Sequence, residues 1–183
     1  MRFKLLASAI SMAAPLMLLG TNAGAVEFSA TFSGFEEVGA LNNETGAIFS
    51  PGKATLDLDL NRNARTITFK LMYSGLSAPI TQAHIHFGKR HVPGGVMVFF
   101  CTNINNGPPG TQLCPQGSAT VTGMFTGASV IGPTAQNITA GDFDALVAAI
   151  DSNTAYGNIH TTTFPAGEIR GQIRRGDKED DDR

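Results

Sequence analysis

The feature that most constrains the fold is the alternation of apolar and polar residues in short runs. In the run 54–60 an alanine and three leucines occupy every second position, with threonine and aspartates between them. The run 66–71 alternates in the same way, and the turn-forming segment "NRNA" separates the two. Because side chains of a strand point alternately to opposite faces, each run predicts a strand with one buried face and one wet face. Together they predict a β-hairpin.

Similar runs recur along the chain, mostly separated by Gly or Pro. They predict further strands at 27–35, 82–87, 96–101, 118–125, 156–161 and 168–174. The composition agrees with a turn-rich β protein, since the chain has 21 glycines, no tryptophan and only 15% charged residues. The sequence therefore predicts an all-β fold, an antiparallel sandwich or barrel of about eight strands.

One segment departs from this pattern and predicts a single short amphipathic helix. Its apolar residues recur at i, i+3, i+4 and i+7: Phe143, Leu146, Val147 and Ile150. Thr139 is the predicted cap, and Asp142 falls where a carboxylate meets the free amides of the first turn. We expect the helix to pack against one end of the sheet.

The N-terminal residues 1–25 have the features of a secretory signal peptide. Arg2 and Lys4 precede an apolar run over 5–19, and Ala-Gly-Ala at 23–25 is a small-x-small cleavage signal. The run is interrupted by Ser and Pro and is shorter than the roughly 20 residues that span a bilayer. We therefore expect a secreted or periplasmic protein without a transmembrane anchor once the signal is removed.

The remaining chain is acidic. Without Arg2 and Lys4 it has 11 Lys and Arg against 15 Asp and Glu, a formal net charge of −4. This balance argues against a nucleic-acid partner. The segment 176–183 consists almost entirely of charged residues, which predicts an acidic, disordered tail. The range 26–175 is then the single folded domain.

The chain has two cysteines, Cys101 and Cys114, with "TNINNGPPGTQL" between them. In an oxidising compartment a disulfide between them is expected. Closing a loop of that size stabilises the fold by on the order of 3 kcal/mol, because it restricts the unfolded chain.

Three of the four histidines lie within "TQAHIHFGKRH", residues 81–91. His84 and His86 are two apart on one predicted strand, so both imidazoles lie on its polar face. The same alternation places His160 on the polar face of the strand 156–161. If the two strands are neighbours, these three histidines converge.

Neutral imidazoles bind zinc and copper well, and three of them leave one position for water or substrate. One hypothesis is therefore a single Cu or Zn ion at His84, His86 and His160, with His91 as a candidate fourth ligand and Glu168 as another. A structural alternative is a polar ladder in which the imidazoles bond carbonyls, Glu168 and Arg170. Acid–base catalysis is a third interpretation. No nucleophile elbow, phosphate loop or paired catalytic carboxylates are evident.

Four segments stand out: "GFEEV", "GLSAPITQAHIHFG", "GDFDALVAAI" and "YGNIHTTTFPAGEIRGQI". Together they resemble the CHRD domain, a module that is repeated in chordin and found alone in many exported microbial proteins. The resemblance covers about 27–173. "HIH" and "NIHT...GEIRGQI" correspond to the family's signature, and the cysteine loop is similar to that of its bacterial members.

The resemblance implies an all-β extracellular domain at 26–175. It does not imply chordin's growth-factor antagonism, since chordin's cysteine-rich repeats are absent. We predict a non-enzymatic binding or matrix- or envelope-associated module with a protein or glycan partner and a candidate histidine metal site. The alternative is a single-metal redox protein loosely resembling copper/zinc superoxide dismutase. The four histidines are too few for that enzyme's two-metal centre.

Overall fold

The alternating runs form β-strands in the computed structural model, which describes residues 25–38 and 46–176. Within those ranges there are nine strands and one α-helix. The strands are β1 Ala25–Phe32, β2 Lys53–Asn61, β3 Thr66–Ser74, β4 Ile80–Phe87, β5 Gly95–Thr102, β6 Ala119–Phe125, β7 Ala155–Thr161, β8 Ile169–Gln172 and β9 Arg174–Arg175. Except for Ala25 and Gly176, the predicted signal peptide and acidic tail lie outside the described residues and stay predictions.

The strands form two antiparallel sheets, one with the order β6-β3-β2-β1-β9 and one with the order β5-β4-β7-β8. The predicted hairpin is confirmed, with Asn61 of β2 opposite Thr66 of β3. The all-β prediction is confirmed, and two separate sheets fit a sandwich rather than a closed barrel.

The core lies between the two sheets and is built from the alternating apolar residues. The five-stranded sheet contributes a continuous row of buried side chains, including Leu56, Leu58 and Leu60 of β2. The polar residues between them, among them Asp57 and Asp59, are exposed. This sheet therefore has one buried and one wet face, as the sequence predicts.

A pair of glycines lets the two sheets approach closely. Gly157 of β7 lies opposite Gly171 of β8, and the ring of Phe32 from β1 lies over both. A Cβ on Gly157 would come within 2.2 Å of that ring, and one on Gly171 within 2.8 Å. Any larger residue at either position would collide with Phe32, which is fully buried.

Helix α1, Phe143–Asp151, buries the four predicted apolar residues. The predicted cap is wrong. The N-cap is Asp142, whose Oδ1 accepts a hydrogen bond from the backbone N–H of Ala145 at 2.9 Å. Gly141, with φ 89°, turns the chain just before it. The helix therefore begins too far along the chain for Thr139 to cap it.

The predicted strand 168–174 is divided between the two sheets. β8 pairs with β7 in the four-stranded sheet, whereas β9 pairs with β1 in the five-stranded sheet. Ile173 lies between them, fully buried, and its N–H donates to Ala155 O at 3.0 Å. This crossing raises the number of described strands to nine.

The predicted disulfide between Cys101 and Cys114 is present and buried. Asn103 stabilises the loop that the disulfide closes. Its side chain accepts a hydrogen bond from the N–H of Cys114 and donates one to the carbonyl of Cys114. In the part of the chain that the structure describes, no helix has the length and apolar character needed to cross a membrane.

Candidate metal centre

The four-stranded sheet brings three histidines together. β4 carries His84 and His86, and its neighbour β7 carries His160. In the register of this pair His160 lies opposite Gln82, so that it is diagonal to His84 on the same face. The strand adjacency on which the metal hypothesis depended is therefore present.

The three imidazoles present one ring nitrogen each to a common point. These nitrogens lie within 4.8 Å of one another. The closest pair is His84 Nδ1 and His160 Nε2, 3.2 Å apart. His86 Nε2 is buried and has no hydrogen-bond partner. This spacing suits three ligands of one ion.

Backbone carbonyls determine the tautomers of two of these rings. His86 Nδ1 lies 2.9 Å from Gly94 O, and His160 Nδ1 lies 3.0 Å from Pro165 O. A carbonyl oxygen only accepts hydrogen bonds, so each Nδ1 carries the proton when the ring is neutral. Each Nε2 then presents its lone pair to the common point.

A chain of side-chain hydrogen bonds assigns the third tautomer. Thr102 Oγ1 donates to Asn106 Oδ1, and Asn106 Nδ2 donates to Gln82 Oε1 at 2.6 Å. The same Gln82 oxygen lies 3.1 Å from His84 Nε2, which must therefore donate its proton there. His84 Nδ1 is left with a lone pair that faces the lone pair of His160 Nε2.

Three lone pairs converging without a proton between them are unfavourable unless a cation lies there. The purely structural alternative requires His84 Nδ1 to donate to His160 Nε2, with the amides of Gln82 and Asn106 both reversed. Even in that arrangement His86 Nε2 has no donor. A buried polar atom without a partner costs about 1–3 kcal/mol, so this nitrogen needs an explanation.

Burial keeps the triad neutral. It lowers the pKa of His84 to about 2, assisted by the neighbouring His160 and His86. Burial likewise lowers the pKa of His86 to about 4, against a smaller opposing effect of the bond to Gly94 O. The pKa of His160 falls to about 4 for the same reason. Neutral imidazole is the form that binds metal ions.

Tyr156 contacts both His86 and Arg170 and so connects the triad to a buried guanidinium. The ring of Tyr156 lies parallel to that of His86, with centroids 4.8 Å apart. The Arg170 guanidinium contacts the same tyrosine ring, with its carbon 3.3 Å from the ring centroid. The Gly94 N–H donates to Tyr156 Oη, and Arg170 Nη2 donates to the carbonyls of Lys89 and Val92. This network fixes the loop that supplies the Gly94 carbonyl to His86.

The triad is enclosed. His84, His86 and His160 are only 2%, 9% and 6% exposed. Phe99 of β5 contacts His84 edge-on, with centroids 4.3 Å apart. An open coordination position that meets solvent would permit turnover, and this enclosure does not favour the superoxide dismutase-like alternative.

The polar face of this sheet is buried, which the sequence analysis did not predict. Loop carbonyls and side chains cover it from 33–38, 46–52, 88–94 and 162–167. Glu168 is fully buried and accepts hydrogen bonds from Ser50 Oγ, the Ser77 N–H and Thr161 Oγ1. Neither Glu168 nor Arg170 is among the ligand atoms that converge.

His91 is not brought to the triad. Its side chain is 56% exposed, and its Nε2 lies 3.1 Å from Glu36 Oε2 at the surface. The structure therefore does not support His91 as a fourth ligand.

Two further residues that contact this region were not among the predicted site residues. Tyr156 lies on the same alternating face as His160, so the period-two pattern could have identified it. No pattern indicated the burial of Glu37, which is 3% exposed and accepts a hydrogen bond from Asn158 Nδ2. Burial raises the pKa of Glu37 to about 7.

Comparison with known proteins agrees with the resemblance seen in the motifs. The sequence model of the CHRD domain matches residues 28–173. The chain belongs to the CHRD domain family. No curated protein and no solved structure matches it. The match includes all three histidines of the triad and both cysteines, so the candidate metal centre lies inside the CHRD domain.

Proposed function

We propose that this CHRD domain is an exported, non-enzymatic binding module that holds one transition-metal ion, copper or zinc, at His84, His86 and His160. The observation that carries the proposal is the convergence of three histidine ring nitrogens within 4.8 Å of one another, together with the buried His86 Nε2, which has no hydrogen-bond partner. A bound cation satisfies all three lone pairs at once.

The surroundings of the triad support a metal rather than a ladder of hydrogen bonds. Metal-binding histidines typically donate their second ring nitrogen to a carbonyl or carboxylate, which fixes the ring and its tautomer. Here Gly94 O, Pro165 O and Gln82 Oε1 accept from the three outer nitrogens. Imidazole ligands suit both copper and zinc.

One observation supports export, and a second supports a site without catalytic turnover. The Cys101–Cys114 disulfide is typical of proteins in oxidising compartments, and a secreted or periplasmic location is accordingly part of the proposal. The triad is at most 9% exposed, and this enclosure does not favour access of a substrate to an ion bound there.

The test is metal loading of the purified protein after stripping with a chelator. Samples are equilibrated without oxygen with Cu(I), Cu(II) or Zn(II), desalted, and analysed by mass spectrometry for bound metal. We expect one ion per chain in the wild type and in His91→Ala, whose histidine lies outside the triad.

The His84→Ala/His86→Ala double variant and the single variant His160→Gln should bind no ion at this site. Circular dichroism and urea unfolding establish that each variant is folded. Equal loading of wild type and a folded triad variant would overturn the proposal, as would failure of the wild type to retain any of the three ions.

A further inference from the structure

The coordination number offered by the triad distinguishes among the ions that imidazole binds. Among the residues that the structure describes, no carboxylate, cysteine or fourth histidine presents an atom to the common point. Both cysteines are joined in the disulfide. Protein zinc sites are almost always four-coordinate, and Cu(II) adopts tetragonal geometries with four or more ligands. Three nitrogens alone leave both ions under-coordinated.

Enclosure makes a water an unfavourable fourth ligand. The three rings are buried, Phe99 lies against His84, and Tyr156 covers one face of His86. Catalytic zinc centres with three histidines take their fourth ligand from an open position that exchanges with solvent. The packing here instead suits an ion that is stable with three ligands.

The charge of the site points in the same direction. The three ligands are neutral, so a bound ion brings its whole charge into a buried region. The cost of burying an ion grows with the square of its charge, so a divalent ion costs about four times as much as a monovalent one. The buried Arg170 guanidinium lies over the ring of Tyr156 and adds a positive charge that acts on His86.

We infer that the triad is a three-coordinate site for Cu(I), selective against Zn(II) and Cu(II). Cu(I) is monovalent and accepts three ligands in a plane. This inference rests on the proposed function and names its ion. Binding is simple ligation of an ion that arrives already reduced, so no electron transfer is involved.

The test is an anaerobic competition titration of the metal-stripped protein. Cu(I) is supplied as its bicinchoninate complex, and Zn(II) and Cu(II) are each titrated in parallel against a chromophoric chelator of that ion. We expect one Cu(I) per chain, held at least about 100-fold more tightly than Zn(II). X-ray absorption of the Cu(I)-loaded protein should show three nitrogen scatterers and no fourth ligand.

A matched pair of variants tests the role of the nearby charge. Arg170→Gln removes the cation and should narrow the ratio of Cu(I) to Zn(II) affinity, whereas Arg170→Lys should keep it. If either variant does not fold, the wild-type affinity ratio and scatterer number still decide the inference.

The outcomes separate this inference from the proposed function. Zn(II) or Cu(II) bound as tightly as Cu(I), or a fourth scatterer in the Cu(I) spectrum, would overturn the cuprous inference and leave the proposed function standing. Absence of binding for all three ions would overturn both.

Discussion

At the scale of single residues, each imidazole of the triad has its proton placed by one oxygen. Gly94 O and Pro165 O are backbone atoms, so substituting residue 94 or 165 does not remove the acceptor. Gln82 is different because its acceptor is a side chain, and that side chain is held in turn by Asn106. His84 is therefore the ligand whose tautomer can be altered by a single substitution nearby.

Replacing Gln82 should change the metal affinity only if the new side chain cannot accept a hydrogen bond from His84. Gln82→Leu removes the acceptor, so His84 can move its proton to Nδ1 and the affinity should fall about 10- to 100-fold. Gln82→Glu keeps an acceptor for both Asn106 and His84 and should retain the affinity. Competition against a chromophoric chelator measures both variants. Equal affinities of a folded Gln82→Leu and the wild type would show that this bond does not set the tautomer.

At the scale of strands and helices, local patterns predicted the elements but not their neighbours. The period-two alternation of β4 placed His84 and His86 on one face, and the structure agrees. The contribution of His160 depended on β7 pairing with β4. Such pairing joins residues far apart in sequence, so the alternation within either strand contains no information about it.

The covering loops were also beyond local prediction. Alternation predicts a wet face wherever polar residues recur, yet the polar face of β4, β7 and β8 is buried under loops. Burial of that face depends on hydrogen bonds such as those from Arg170 to the loop carbonyls of Lys89 and Val92. These bonds form only once the sheets are assembled.

Helix α1 offers a direct comparison between the predicted and the observed cap. Asp142→Ala removes the acceptor for the Ala145 N–H and should lower the free energy of unfolding by about 1 kcal/mol. Thr139→Ala is the matched control and should change it by less than about 0.5 kcal/mol, since Thr139 is exposed and precedes the helix. Urea unfolding measures both. A larger effect of Thr139→Ala than of Asp142→Ala would contradict the assignment.

At the scale of the whole molecule, the domain contains a polar interior beside its apolar core. The apolar core fills the space between the sheets, and the buried polar groups lie on the far side of the four-stranded sheet. Groups of that second region titrate differently in the folded and unfolded chains. The stability of the whole domain is therefore linked to pH.

The three histidines and Glu37 act on stability in opposite directions. The histidine pKa values lie below the ordinary 6.5, so the unfolded chain binds protons between about pH 4 and 6.5 that the folded chain does not. The contribution of the three histidines to the free energy of unfolding therefore falls as the pH falls through that range. The pKa of Glu37 is raised from 4.5 to about 7, so its contribution rises as the pH falls through 7 to 4.5.

The metal-free protein should consequently lose stability on acidification. A group that binds one more proton in one state than in the other changes the free energy of unfolding by about 1.4 kcal/mol per pH unit. Three histidines opposed by one glutamate therefore give a net loss of about 1 kcal/mol between pH 7 and 6 and about 2 kcal/mol between pH 6 and 5. Glu37→Gln removes the opposing contribution and should increase the loss of stability by about 1 kcal/mol per pH unit. Urea unfolding at pH 7, 6 and 5 with a chelator present measures both slopes. A stability that is constant across this range in the wild type would show that the triad is already protonated, or exposed, in the folded protein.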